Sequence, residues 1–167
     1  MPASEQDLFA RLAELGVETT TVRHRAVFTV EESKAHRGDL PGGHTKNLFL
    51  KDKKGVLWLV VALEDRAIDL KELRHPIGAA PLSFGRPELL REVLGIDPGS
   101  VTPFALINDT ANRVNVVLDA EMMSLPLLNV HPLTNTATSA ITPAGLAAFI
   151  RSCGHDAKVV ALEGPIA

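Results

Sequence analysis

The chain is poor in several residue types. It has one cysteine (Cys153), no tyrosine and one tryptophan (Trp58), and aromatic residues make up only 4% of its 167 positions. A single thiol cannot close an internal disulfide, so a disulfide scaffold is excluded and a reducing compartment fits. A cysteine-based metal knuckle is excluded on the same count. With so few aromatic platforms, broad stacking of single-stranded nucleic acid has weak support. The longest apolar run, Val56 to Leu63, falls far short of the ~20 residues a membrane-spanning helix needs. The first residues carry acids early and lack an apolar core, so no signal peptide is expected there. Bulk positive charge is missing too. The formal net charge is −3 and the pI about 6.1, which argues against a protein that coats nucleic acid. No P-loop, GxSxG, HExxH or GxGxxG motif occurs, and no helix-turn-helix with a basic recognition helix is visible. A DNA-binding regulator is therefore disfavoured, and neither metal nor organic cofactor is indicated.

What is present is the composition of a folded globular protein: 46% hydrophobic residues, 22% charged residues and a mean hydropathy of +0.12. The length suits one domain over 1–167, with a core that needs no staples. Charge is unevenly spread. Lys46, Lys51, Lys53 and Lys54 face a single acid, Asp52, within one short stretch, so any nucleic-acid contact should be small and local.

Local signals predict the elements. Ser4 can cap a helix that runs to Gly16, with Leu8, Leu12 and Leu15 on one face. Residues 18–23 read as a strand, and Thr29 opens a capping-box pattern for a short helix over 30–36. Residues 38–45 hold three glycines and a proline and are expected to form a loop. Residues 47–51 and 56–63 flank a polar, glycine-ended turn and predict a hairpin. Its second strand is apolar on both faces, as a central strand would be. Short helices are expected over 68–74 and 87–95, and strands over 104–107, 114–118, 127–130 and 136–141. A helix from Thr142–Pro143 to Cys153 and a last strand over 158–162 complete the chain. About seven strands and five helices in irregular alternation point to an α+β fold.

Three segments could carry chemistry. In the first, a glycine loop delivers Lys46 and Asn47 to the start of the hairpin. A lysine there can bind phosphate or a developing anion, although a solvated lysine has the same local pattern. Lys51, Lys53 and Lys54 fit either a soluble hairpin tip or an RNA contact. The second is Gly99, Ser100, Val101, Thr102 and Pro103, a loop whose amides could approach a small polar ligand or simply turn the chain. The third places His131 directly after an apolar strand, followed by a run rich in Thr and Asn. That histidine can orient a substrate, shuttle a proton or serve structure. His24, His36, His44, His75 and His155 lack metal-ligand spacing and read as surface or loop residues. Cys153 reads as a buried small hydrophobe, and Asp109, Asp119 and Glu121 as solvated carboxylates.

The stretches GGHTKNLFLKDKKG, GSVTP and NVHPLTNTAT, in this order, resemble the YbaK/prolyl-tRNA-synthetase-associated domain family over essentially the whole chain. Among its branches the chain is most similar to the free-standing alanyl-tRNA(Pro) deacylases. The resemblance implies a curled mixed β-sheet flanked by helices, and hydrolysis of a wrong aminoacyl ester on tRNA(Pro) in the cytoplasm. It implies that Lys46 is the essential lysine, Asn47 its neighbour, His131 the pocket histidine and Gly99–Pro103 the substrate loop. It also implies the acceptor end of tRNA(Pro) as partner, with prolyl-tRNA synthetase or an elongation factor as further candidates. Cysteine or serine esters, and a non-catalytic binding module, stay open as alternatives. The task has a physical basis. A site for proline discriminates against a smaller apolar side chain by only ~1–3 kcal/mol per missing methylene, so alanine must be removed afterwards.

Overall fold

A computed structural model describes residues 2–25 and 42–162. The helix expected over 30–36 and the 38–41 part of the expected loop lie outside those residues. Helix α1 spans Glu5–Glu14. Ser4 and Asp7 form a reciprocal capping box at its start, and its buried face presents Leu8 and Leu12. The later helices are α2 (Leu70–Ile77), α3 (Pro87–Leu94) and α4 (Pro143–Ser152). Asp69 caps α2, and Thr142 caps α4 with Pro143 in its first turn. Gly78 and Gly95 end α2 and α3 in the left-handed conformation, which glycine adopts without a Cβ clash.

The strands are β1 (Thr20–Arg23), β2 (Gly43–Asp52), β3 (Leu57–Leu63), β4 (Leu82–Phe84), β5 (Val114–Asp119), β6 (Leu128–Val130), β7 (Ala137–Ile141) and β8 (Lys158–Val160). They form one mixed sheet in the order β1-β7-β6-β2-β3-β5-β8, with β4 paired to β2. The β2–β3 hairpin is antiparallel, while β2/β6, β3/β5 and β5/β8 run parallel. Strand β3 alternates its side chains between two cores, as its sequence predicts. Leu59 and Val61 join α1, α3 and α4 on one face, and Trp58, Val60 and Ala62 join Leu73 and Ile77 of α2 on the other. The α+β fold with a mixed sheet is thus observed.

The seam between β6 and β2 is short: Gly43 pairs with Leu128 and His44 with Asn129. A Cβ built on Gly43 would lie 2.4 Å from a Leu125 methyl, so a larger residue here would have to push the Leu125 side chain aside. Gly43 N–H donates to Leu127 O at 2.8 Å, and Thr45 Oγ1 donates to Asn129 O at 2.8 Å.

Two expectations need correction, and one strand was not expected at all. Phe104–Ile107 is not a strand but part of a 3₁₀ helix over Pro103–Asn108. Thr102 caps it and Pro103 fixes its first turn, while Phe104, Ala105 and Leu106 are all buried. The apolar run therefore reflects burial on every side, not a sheet. Gly43, His44 and Thr45 belong to β2 rather than to the preceding loop. Strand β4 carries no alternating apolar signal. It exists because Leu82, Ser83 and Phe84 pair with Asp52, Lys51 and Leu50 of the hairpin.

Candidate active site

Strand alternation decides which side chains meet. On β2, Lys46 lies opposite Ala62 and Asn47 opposite Val61, so these neighbours emerge on different faces. His44 and Lys46 share one face. Glu64 N–H donates to His44 O at 2.9 Å, which places Glu64 at the same end of the hairpin. Across the seam, β6 and β7 bring Asn129, His131 and Thr138. Together His44, Thr45, Glu64, Asn129, Val130, His131 and Thr138 line one small cavity. Lys46 follows His44 by two strand positions, about 7 Å along the chain.

Lys46 is half-buried. Its ammonium donates to the main-chain carbonyl of Arg66. Burial lowers its pKa below the ordinary lysine value; Asp65 opposes that shift and the Arg66 guanidinium adds to it. Arg66 is itself anchored. Its Nε donates to Asp119 Oδ2 at 2.8 Å, one terminal nitrogen to Leu162 O at 3.0 Å and the other to Glu121 Oε2 at 2.5 Å. Asp119 is fully buried and also receives Leu63 N–H at 3.3 Å. The expectation of a solvated Asp119 fails because Arg66 draws it inside. Glu121 keeps an exposed side chain while pairing with Arg66.

His131 is held from two sides. Its Nδ1 lies 3.0 Å from Ala137 O, and its own carbonyl accepts Thr102 Oγ1 at 2.6 Å. A carbonyl only accepts, so Nδ1 carries the proton and, in the neutral ring, Nε2 keeps its lone pair. Burial lowers the His131 pKa, the Ala137 bond opposes this, and His24 adds to the lowering. The His24 ring lies 6.4 Å from that of His131. Its Nδ1 contacts Arg25 O and its Nε2 contacts Thr138 Oγ1, each at 2.8 Å. Thus Thr102 ties the Gly99–Pro103 loop directly to the pocket histidine. Gly99 and Ser100 sit in a short 3₁₀ turn, and Thr102 and Pro103 are buried.

The family assignment rests on more than this geometry. A family model of the aminoacyl-tRNA editing domain matches residues 24–149. The chain belongs to that family. It is 42% identical over 154 residues to a prolyl-tRNA synthetase associated domain-containing protein 1 of Danio rerio, covering 91% of this chain and 84% of the relative. It is 35% identical over 160 residues to the prolyl-tRNA editing protein ProX of Acetoanaerobium sticklandii, covering 95% and 98%. A crystal structure described as a candidate trans-editing enzyme for prolyl tRNA synthetase shares the fold. Its TM-score is 0.70 over 98% of this chain and 99% of that one, at 23% identity.

Within this editing domain the expected site residues do not all converge. Lys46 lies along the strand from the cavity, and His131 and the Gly99–Pro103 loop are bonded to each other. Asn47 points to the opposite face, where its buried Oδ1 has no hydrogen-bond partner among the described residues. Lys51, Lys53 and Lys54 lie at the far end of the hairpin, Lys51 being ~17 Å along β2 from Lys46. Lys51 and Lys53 instead line an open groove with Phe84 and Arg86. His24, His44 and Glu64 join the site without any signal in sequence spacing, because strand pairing alone brings them there. His155 and Asp109 were expected at the surface, but both are buried and bonded at 2.8 Å. Cys153 is half-buried and its thiol pKa is raised by that burial. Among the described residues no cluster of His, Cys, Asp and Glu could hold a metal ion, and no helix is long and apolar enough to cross a membrane.

Proposed function

We propose that this editing domain hydrolyses the ester of alanine mischarged onto tRNA(Pro). Water adds to the ester carbonyl carbon, the ribose oxygen leaves with a proton, and alanine and free tRNA result. The observation that carries the reading is the Lys46 ammonium. It shares a strand face with His44, one of the cavity residues, and donates to the Arg66 carbonyl, in a chain that belongs to the editing family. One of its N–H groups is committed to Arg66, and the others can bind the terminal phosphate or ribose and hold the ester in place. Within the Gly99–Pro103 loop Pro103 has no N–H and that of Ser100 is bonded to Asp97 O, so the amides of Gly99, Val101 and Thr102 are the ones to receive the aminoacyl carbonyl and its developing negative charge. His131 Nε2 accepts a proton-bearing group of the substrate or of the attacking water. The vicinal ribose hydroxyl assists water activation, so no separate carboxylate base is needed for an ester that is already activated. Lys51, Lys53 and Lys54 contact the RNA backbone farther along. The protein works in the cytoplasm, free or docked on prolyl-tRNA synthetase or an elongation factor.

The deciding experiment compares hydrolysis of Ala-, Cys- and Pro-tRNA(Pro) by wild type and Lys46→Ala. Loss of alanine alone, abolished in the variant, is the expected result. Preferential loss of cysteine would move the specificity to that amino acid. No hydrolysis of any ester would leave a binding module.

A further inference from the structure

His131 and Thr138 both line the cavity and stand side by side. The antiparallel register that sets Asn129 opposite Ala140 and Val130 opposite Ser139 brings His131 opposite Thr138 at the next position. Their Cβ atoms are then ~5 Å apart on one face of the sheet. Each presents a lone pair, and each for a reason that lies outside the cavity. His131 commits its Nδ1 proton to Ala137 O, so Nε2 of the neutral ring accepts. His24 decides the other. Its Nδ1 lies 2.8 Å from Arg25 O, and a carbonyl only accepts, so Nδ1 carries the proton. Nε2 of the neutral His24 ring then takes the Thr138 hydroxyl proton at 2.8 Å, and the Thr138 oxygen keeps its lone pairs. The Thr45 hydroxyl is committed in the same way to Asn129 O. His44, Glu64 and Asn129, the other polar lining residues, have partners of their own.

We propose that Thr138 Oγ1 and His131 Nε2 together hold the hydrolytic water, and that His24 is the positioning residue that makes Thr138 an acceptor. This rests on the reading of the protein as an aminoacyl-ester hydrolase. A held water needs ~10–15 Å³ of room and two to four polar partners. The cavity offers about 20 Å³ and two acceptors on neighbouring strands. A water that donates both O–H groups to them keeps its own lone pair for the ester carbonyl carbon. As the new carbon–oxygen bond forms, one water proton passes to His131 Nε2. The bond to the ribose then breaks with its electron pair on the ribose oxygen, which receives that proton from the ring. The other water proton stays with the alanine carboxyl. A Thr138 hydroxyl with its proton turned into the cavity would instead bond the water's lone pair and blunt the attack.

Wild type, Thr138→Val, Thr138→Ser and His24→Phe test this with two readouts. Nuclear Overhauser contacts between water and the His131 ring report the bound water in the free protein. Single-turnover deacylation of Ala-tRNA(Pro) at rising enzyme concentration separates the maximal rate from the half-saturating concentration. Wild type should show the water contact. Thr138→Val should lose it, with a maximal rate ~100-fold lower and the same half-saturating concentration. Thr138→Ser should recover most of both. His24→Phe should lower the maximal rate at least ~10-fold, because the Thr138 proton is then free to turn inward. A wild type without the water contact overturns the inference. So does a wild-type maximal rate in Thr138→Val or in His24→Phe, and so does a Thr138→Ser as slow as Thr138→Val. If Thr138→Val proves unfolded by its NMR spectrum, the same outcomes are read from His24→Phe. The water contact needs no turnover, so the two readings fail separately. A wild type that holds the water yet leaves every aminoacyl-tRNA intact would sink the deacylase reading and leave the water site standing.

Discussion

The two ends of the β2–β3 hairpin are built on opposite plans. At the tip, buried Asp52 accepts Lys54 and Val56 N–H at 2.9 and 3.0 Å, Trp58 Nε1 at 3.4 Å and Ala80 N–H at 3.3 Å. Every donor there serves the turn, and the three lysines around it stay exposed. At the root, polar groups on or next to β2, β3, β6 and β7 line the cavity, and beside them the Lys46 ammonium is fixed to the Arg66 carbonyl. The tip spends its buried charge on conformation. The root, on the proposed reading, holds charge in place for a bound substrate. Buried polarity alone therefore does not mark a site; what matters is whether the donors and acceptors are used up locally.

That contrast can be broken deliberately, and the largest effect is expected at Arg66. Arg66→Met leaves Asp119 buried without its cation and should cost about 3–5 kcal/mol in stability, read by denaturant unfolding. Arg66→Lys should recover only part, because a lysine cannot reach Asp119, Glu121 and Leu162 O together. Next comes Lys46→Ala, which should lower deacylation of Ala-tRNA(Pro) by at least ~100-fold with an unchanged melting curve. At the tip the pattern should reverse. Asp52→Ala should cost roughly 2–3 kcal/mol of stability and spare single-turnover deacylation by the folded fraction.

Smaller effects separate the two ends further. Burial, outweighing the Ala137 bond, puts the folded-state pKa of His131 below its unfolded value. The unfolded chain then binds more protons in the window between the two values. Stability should fall as pH drops below about 6.5, and a His131→Asn variant should show a shallower slope there. For Asp52, burial raises the pKa but the four hydrogen bonds outweigh it, so the net shift is downward. Its contribution should persist above about pH 3.9 and vanish only in stronger acid. The smallest change belongs to Lys51→Ala with Lys53→Ala. This pair should raise KM slightly and reduce the salt dependence by one or two phosphate contacts.

Much of this plan was legible from local chemistry. Ser4 announces α1, Pro87 and Gly95 bracket α3, and the doubly apolar 56–63 run announces the buried strand. Each of these signals lies within a few residues of what it controls. Phe104–Ile107 misled because a short apolar run looks alike in a strand and in a fully buried 3₁₀ turn. Strand β4 left no trace because its three residues owe their conformation to the hairpin beside them. The site was half legible. Lys46, His131 and the Gly99–Pro103 loop stand in recognisable segments. Glu64, His24 and Arg66 are brought in by pairing between strands distant in sequence, and Asp119 looked like any surface acid until its partner was seen.

The short seam at Gly43 has one more consequence. The cavity's walls come from opposite sides of that seam, with His44, Thr45 and Glu64 on the hairpin side and Asn129, His131 and Thr138 on the other. Its breadth is thus a distance between two half-sheets, set where two residue pairs join them. On the proposed reading that breadth is a caliper for an amino acid's side chain, and a change at Gly43 or Leu128, the seam pair that does not line the cavity, would reset it without touching a single residue of the wall.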